Sequence, residues 1–256
     1  MTRLIRNAII VLLGYALLST VGGVAAEAKE GVPSAKKLHV VVLTGGHAFN
    51  ERDFLKLFQG YKDIAYKHLS QKIGGEVFED IADWPYDVIV LYNLNQHMTP
   101  KQQKNFLALL DKGVGLVILH HAIAAYDSWP LFAKISGVKY HLNPWEENGV
   151  KKEPSGWKEG VEIKVHVADP NHPITRGLKD YDLFDETYCR FDVDPGVHAL
   201  LTTDAPTSDK TIAWVKTYGN ARVFFIQSGH DHTGYDNPNY RKIVVRAIRW
   251  TAGKSP

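Results

Sequence analysis

Leu38–Leu43 is an almost unbroken apolar run that stops at Thr44-Gly45-Gly46-His47. Runs of this kind belong to strands covered on both faces, and the glycine pair marks a turn. Tyr86–Leu91 and Leu116–Leu119 repeat the pattern, the second ending in His120-His121, while Gly75–Phe78 reads as a weaker strand. Between these runs the spacing becomes helical. Phe54, Leu55, Phe58, Ile64, Ala65 and Leu69 suit one helix. Thr99-Pro100 opens another by a hydroxyl cap and a proline at the first helical position. Phe106, Leu107, Leu109 and Leu110 form its apolar stripe, and Gly113 and Gly115 close it.

The second half is richer in strands, with Val161–Val167, Val197–Thr202, Ile212–Val215 and Val223–Ile226 before a final helix from about Pro238 to Trp250. Residues 137–160 hold few aliphatics and several Gly, Pro and Trp, the composition of an ordered surface excursion. Alternating strands and helices predict an α/β fold, a mostly parallel sheet with helices on both faces. No repeat or low-complexity block divides it, so one domain spans 38–254.

The N-terminus follows a different pattern. Arg3 and Arg6 precede an apolar run, Ala8–Leu18, and small residues through Ala26. Basic head, short core and small-residue exit are the parts of a secretory signal. The 11-residue run is short of the roughly 20 that span a bilayer, so cleavage is the expectation and an uncleaved anchor the competing reading. Residues 1–26 then form the signal peptide, 27–37 a polar linker, and the mature protein is periplasmic or secreted without stable membrane insertion. Losing Arg3 and Arg6 brings 30 basic residues to 28, against 28 acidic ones. With no basic run, no nucleic-acid partner is expected. Cys189 is the only cysteine, so an internal disulfide is excluded and a packed core must supply stability.

Ligands of open α/β sheets bind beyond the carboxyl ends of the strands. Gly45-Gly46-His47, His120-His121 and Gly229-His230-Asp231-His232 each follow a buried strand and define a candidate rim. His120 and His121 are candidate acid–base groups, although one ring could pack while the other caps a helix. His230, His232 and Asp231 offer a metal set, a divalent ion such as zinc being the one cofactor this pattern allows; a hydrogen-bonded loop is the alternative. Asp185-Glu186, a paired acid in an apolar setting, suits a general acid or base as well as a solvated turn. Trp129, Tyr140, His141, Trp145 and Trp157 crowd the excursion, where aromatic faces suit sugar rings as well as loop packing.

Taken in order, Thr44-Gly45-Gly46-His47, Leu119-His120-His121-Ala122, Trp129-Pro130, His172-Pro173-Ile174, Asp185-Glu186-x-x-Tyr188, Ala213-Trp214, Gly229-His230-Asp231 and Ile248-x-Trp250 resemble the ThuA-like (trehalose-utilisation) family over nearly all of 38–253. The resemblance implies a flavodoxin-like fold related to class I glutamine amidotransferases, and a role in sugar catabolism, including routes through 3-keto-glycosides. In the amidotransferases the turn after the central strand carries a catalytic cysteine. Here it holds His120-His121, which argues against glutaminase activity. After His47 the chain reads Ala48-Phe49-Asn50, where the family pattern leads one to expect a second histidine beside an acid. The leading expectation is an enzyme acting on a carbohydrate, with His121 or Glu186 as base and His47, His230 and His232 stabilising developing charge. Gly45, Gly46, His47, Trp129, His141 and Trp145 are the expected substrate contacts. A non-catalytic sugar-binding module is the alternative, and the oligomeric state stays open.

Overall fold

The computed structural model describes residues 37–72 and 75–255. The expected signal peptide and all but the last residue of the expected linker lie outside them. The elements, in chain order, are β1 (Leu38–Gly45), α1 (Glu51–Leu55), β2 (Ile64–Ser70), β3 (Val88–Asn93), α2 (Pro100–Asp111), β4 (Gly115–Leu119), α3 (Pro130–Ser136), β5 (Val138–Lys139), β6 (Trp145–Glu147) and β7 (Val150–Lys152). They continue with β8 (Gly156–Val167), β9 (Tyr181–Cys189), β10 (Asp192–Val193), β11 (His198–Thr203), β12 (Thr211–Tyr218), β13 (Ala221–Ile226), α4 (His232–Tyr235) and α5 (Pro238–Thr251).

Nine strands form one sheet in the order β2-β1-β3-β4-β13-β12-β11-β8-β9. The first five pair in parallel, and each later pairing is antiparallel. The parallel half is apolar on both faces, as its sequence runs require. Val40, Val42, Val88, Val90 and Val117 face a core closed by Ile243, Val244 and Ile248 of α5. Their neighbours Val41, Leu43, Ile89, Leu91 and Ile118 face the other core, closed by Phe106 and Leu110 of α2 and Phe132 and Ile135 of α3. At the start of α2 the Thr99 side chain accepts from the Gln102 backbone while the Gln102 side chain accepts from that of Thr99. This reciprocal cap satisfies two donors that a helix start leaves open.

Two expectations fail locally. The helical spacing from Phe54 to Leu69 breaks after Leu55, and Ile64–Ser70 instead pairs in parallel with β1, Leu38 opposite Ile64. Ile64 and Tyr66 pack on one face and Leu69 on the other, a period-two pattern masked because this edge strand is only half-buried. Gly75–Phe78 is no strand. Phe78 adopts a left-handed φ of 69° and buries its ring between Trp84 and Phe106, so its apolarity serves one anchored turn. The excursion at 137–160 is more ordered than expected, holding β5, the β6–β7 hairpin and the start of β8. Among the described residues no helix is long and apolar enough to cross a membrane.

Candidate active site

Because β1, β3, β4 and β13 run in parallel, their carboxyl ends share one edge, and the turns leaving them meet there. Gly45 and Gly46 take φ of 145° and 75° at the end of β1. A Cβ on them would fall 2.1 Å from the Gln71 carbonyl oxygen and 2.0 Å from that of Leu94, so only glycine lets the backbones pass. Their role is to present His47, and neither lines the cleft. After β4 the chain turns sharply into a 3-10 turn, His120–Ala124, and His120 itself takes a left-handed φ of 52°. Strain of this kind at a strand end is a frequent companion of function. After β13, Asp185 holds the loop from one side, accepting N–H bonds from Gly229 at 2.7 Å and His230 at 2.9 Å. Tyr92, at the end of β3, donates its hydroxyl to the Gly229 carbonyl from the other.

Asp185 belongs to β9, the far edge of the sheet, which returns over the strand ends of the parallel half. Residues two apart on a strand share a face, so Glu186 and Tyr188 enter the site together. Opposite them β8 is irregular: the register jumps between Lys158 and Val161, leaving Glu159 and Gly160 as a bulge. Glu159 thereby reaches the rim.

The resulting cluster is tight. Glu186 Oε2 lies 3.0 Å from His120 Nε2 and 2.9 Å from His230 Nδ1. The two ring nitrogens are 3.2 Å apart, and the Tyr188 hydroxyl lies 3.0 Å from His120 Nε2. His120 Nδ1 donates to the Gln227 carbonyl at 2.8 Å. Burial alone would push the Glu186 carboxyl up, but the hydrogen bonds from His120 and His230 outweigh it and hold Glu186 at about 2. The same bond to Glu186 raises His230, against the opposing effect of its burial. Asp185 moves the other way: burial raises it despite its backbone donors.

His121 points elsewhere. Its Nε2 donates to the Tyr92 carbonyl at 3.3 Å and its ring stacks on His47 with centroids 4.6 Å apart. Its Nδ1 is buried and finds no partner among the described residues. Burial holds this imidazole well below its ordinary value, reinforced by His120 and His47, so it stays neutral.

His47, His121, Glu186 and His230 line a cleft of about 320 Å³ together with Leu94, Tyr140, Trp157, Glu159 and Tyr188. This lies at the small end of the roughly 300–1,000 Å³ usual for small-molecule sites. Of the candidates read from sequence, His47, His120, His121, Asp185, Glu186 and His230 converge here. The others do not. His232 is 65 % exposed, and Asp231 caps α4 by accepting from Thr233, so the metal set expected from this loop is not assembled. The mutually close set is His120, Glu186 and His230. Trp129 packs in the core against Phe106 and Phe132. His141 stacks on Trp145 and pairs with Asp192 at 2.7 Å, away from the cleft lining. Asn50, where the loop after His47 departs from the expected pattern, caps α1. Tyr92 escaped notice in the sequence, yet it ends a buried strand and the strand-end rule that found the histidines applies to it equally.

Fold and rim together define an α/β protein whose site is built at the strand ends and walled by an antiparallel arm. The chain belongs to the ThuA family: the family model, described as trehalose utilisation, matches residues 75–251. No curated protein matches the chain. Among solved structures, a ThuA-like protein from Parabacteroides merdae is similar at TM-score 0.72 and 20 % identity, covering 86 % of this chain and 92 % of that one. A ThuA-like protein from Bacteroides uniformis gives 0.63 and 21 %, over 90 % and 95 %. A cytoplasmic protein from Salmonella typhimurium gives 0.59 and 12 %, over 83 % and 99 %. The flavodoxin-like, amidotransferase-like architecture expected from the motifs stands.

Proposed function

We propose that this chain is an exported enzyme that acts on a glycoside or 3-keto-glycoside by acid–base chemistry, with His121 as the base. The observation that carries this reading is the bare Nδ1 of His121, buried beside the cleft on a ring whose other nitrogen is tied to the Tyr92 carbonyl. An unpaired buried acceptor costs about 1–3 kcal/mol, a cost that a substrate proton removes. Membership of a trehalose-utilisation family supports a carbohydrate as the source of that proton. Glu186 is the poorer base, since two imidazoles and the Tyr188 hydroxyl already surround its Oε2, whereas His121 Nδ1 is unengaged.

A ketone at C3 of a sugar acidifies the C2–H bond. His121 Nδ1 takes that proton, and the bonding pair becomes the C2–C3 double bond of an enolate with its charge on the C3 oxygen. The enolate collapses, restoring the ketone, forming a C1–C2 double bond and expelling the C1 substituent with its electron pair. Tyr188 and His47 line the same cleft, the first to donate to the enolate oxygen and the second, at the exposed mouth, to protonate the departing oxygen.

Proton NMR of a 3-keto-glycoside in D2O tests this directly. The C2–H signal is lost with the wild-type protein and survives with buffer, while His121→Ala slows the loss by about 100- to 10,000-fold, the usual range for a general base. Wild-type exchange in His121→Ala would remove His121 from the role. One observation favours a non-catalytic sugar-binding module instead: Trp157 offers a 62 % exposed face at the cleft. That reading takes over if saturation transfer shows contact without exchange and Trp157→Ala abolishes it.

A further inference from the structure

We infer that His120, Glu186 and His230 form a mononuclear site for a divalent transition-metal ion, open toward the cleft. Spacing is the first argument. Metal bonds of roughly 2.0–2.2 Å put neighbouring ligand atoms about 3.0 Å apart in an octahedron and about 3.4 Å apart in a tetrahedron. The three donor atoms here are 2.9, 3.0 and 3.2 Å apart. Each pair therefore makes an edge of such a polyhedron, and the three together make one face.

Direction is the second argument. A carbonyl oxygen only accepts, so the Gln227 carbonyl fixes the proton of neutral His120 on Nδ1. The Nε2 lone pair of a fully buried ring is then aimed at the carboxylate of Glu186 and at His230 Nδ1. At 3.0 Å from that carboxylate the Nε2 position calls for a positive charge between them, which a proton supplies in the empty cluster and a metal ion in the loaded one. An imidazole held by a backbone carbonyl through its remote nitrogen is the usual support of a metal-binding histidine. The outer supports continue: Asp185 clamps the backbone of His230, and the Tyr188 hydroxyl borders both His120 and Glu186. The open side faces the cleft. Glu186 and His230 line the cleft whereas His120 lies beneath them, so vacant coordination positions accept oxygens from the substrate side.

Two imidazoles and one carboxylate suit zinc, manganese or iron(II) better than calcium or magnesium, which prefer all-oxygen sets. The incoming ligand is a pair of adjacent sugar oxygens, a hydroxyl and a carbonyl or two hydroxyls. That last step rests on the function proposed above, and the metal site itself does not.

The test separates the two. Protein stripped with a chelator is dialysed against zinc or manganese, and bound metal is measured by elemental analysis and calorimetry without sugar. One equivalent per chain is expected, with a rise in melting temperature on loading. Glu186→Gln and His230→Ala, each checked for a native circular dichroism spectrum, weaken binding on the order of 100-fold or more. His232→Ala, on an exposed ring outside the set, binds like the wild type. No stoichiometric binding, or binding undiminished in Glu186→Gln and His230→Ala, overturns the site. If stripped protein still exchanges the sugar proton at full rate, the metal has no part in the reaction and the acid–base reading stands without it.

Discussion

His121 and His120 are neighbours in sequence whose rings are engaged in opposite ways, and the difference is which atoms they meet. His121 Nε2 is spent on a backbone carbonyl while its Nδ1 is left bare; His120 has Nδ1 spent and Nε2 drawn into the cluster. Burial keeps His121 neutral at a pH where a free imidazole is half protonated. Nitrogen-detected NMR of the ring at that pH is expected to show a proton on Nε2 and none on Nδ1, and a charged His121 would contradict the base assignment. From sequence, the strand-end rule located both histidines, but not which would be free. That choice depends on Tyr92 and Gln227, whose carbonyls are contacts the linear pattern does not encode. Asp185 and Glu186 pose the same problem: adjacent acids, of which Asp185 clamps backbone and Glu186 joins the cluster because a strand sends them to opposite faces.

At the scale of elements, the parallel strands were legible because strands buried on both faces leave continuous apolar runs. β2 was not, since an edge strand leaves one side to water and its residual spacing imitates a helix turn. Of the arm, β8 was visible as strand but β9 was not, its alternating acids reading equally as a turn, and the return over the rim was not visible either; the bulge at Glu159 and Gly160 and the Asp185 clamp hold it there. α5 is tied down similarly at its far end. Arg249 makes a two-pronged bond to Asp63, just ahead of β2, at 2.8 and 3.0 Å. The Arg249 hydrogen bonds hold the Asp63 carboxyl below its ordinary value. The contribution of this pair is therefore present above the usual carboxylate range and lost as pH falls through the depressed value. Partly exposed pairs are screened, so Arg249→Ala is expected to cost about 0.5–1 kcal/mol. Urea unfolding across pH measures it, and the gap between variant and wild type should close in acid.

For the whole molecule, the motif order was more informative than any single motif, since weak signals in a fixed sequence identify a fold that none identifies alone. The aromatic crowd around residues 129–157 was the least reliable guide. Trp129 packs inside, Trp145 stacks on His141, and only Tyr140 and Trp157 reach the cleft, because large aromatic rings serve cores and sugar faces equally well. Export belongs to this scale too. If residues 1–26 are a signal, protein recovered from the periplasm or medium has an intact mass starting at Glu27 or Lys29, whereas a membrane-retained chain starting at Met1 would count against it.

The imidazoles of His120 and His230 meet across 110 residues of chain. Closing so long a loop is entropically slow, and the strand that carries His230 to the rim, β13, is among the last to be made. His120 emerges from the ribosome long before the residues it will face. Until then the chain has the beginnings of a scaffold and no such cluster. Such a protein assembles this cluster only when nearly all of it has folded, so a truncated or unfinished chain lacks it altogether.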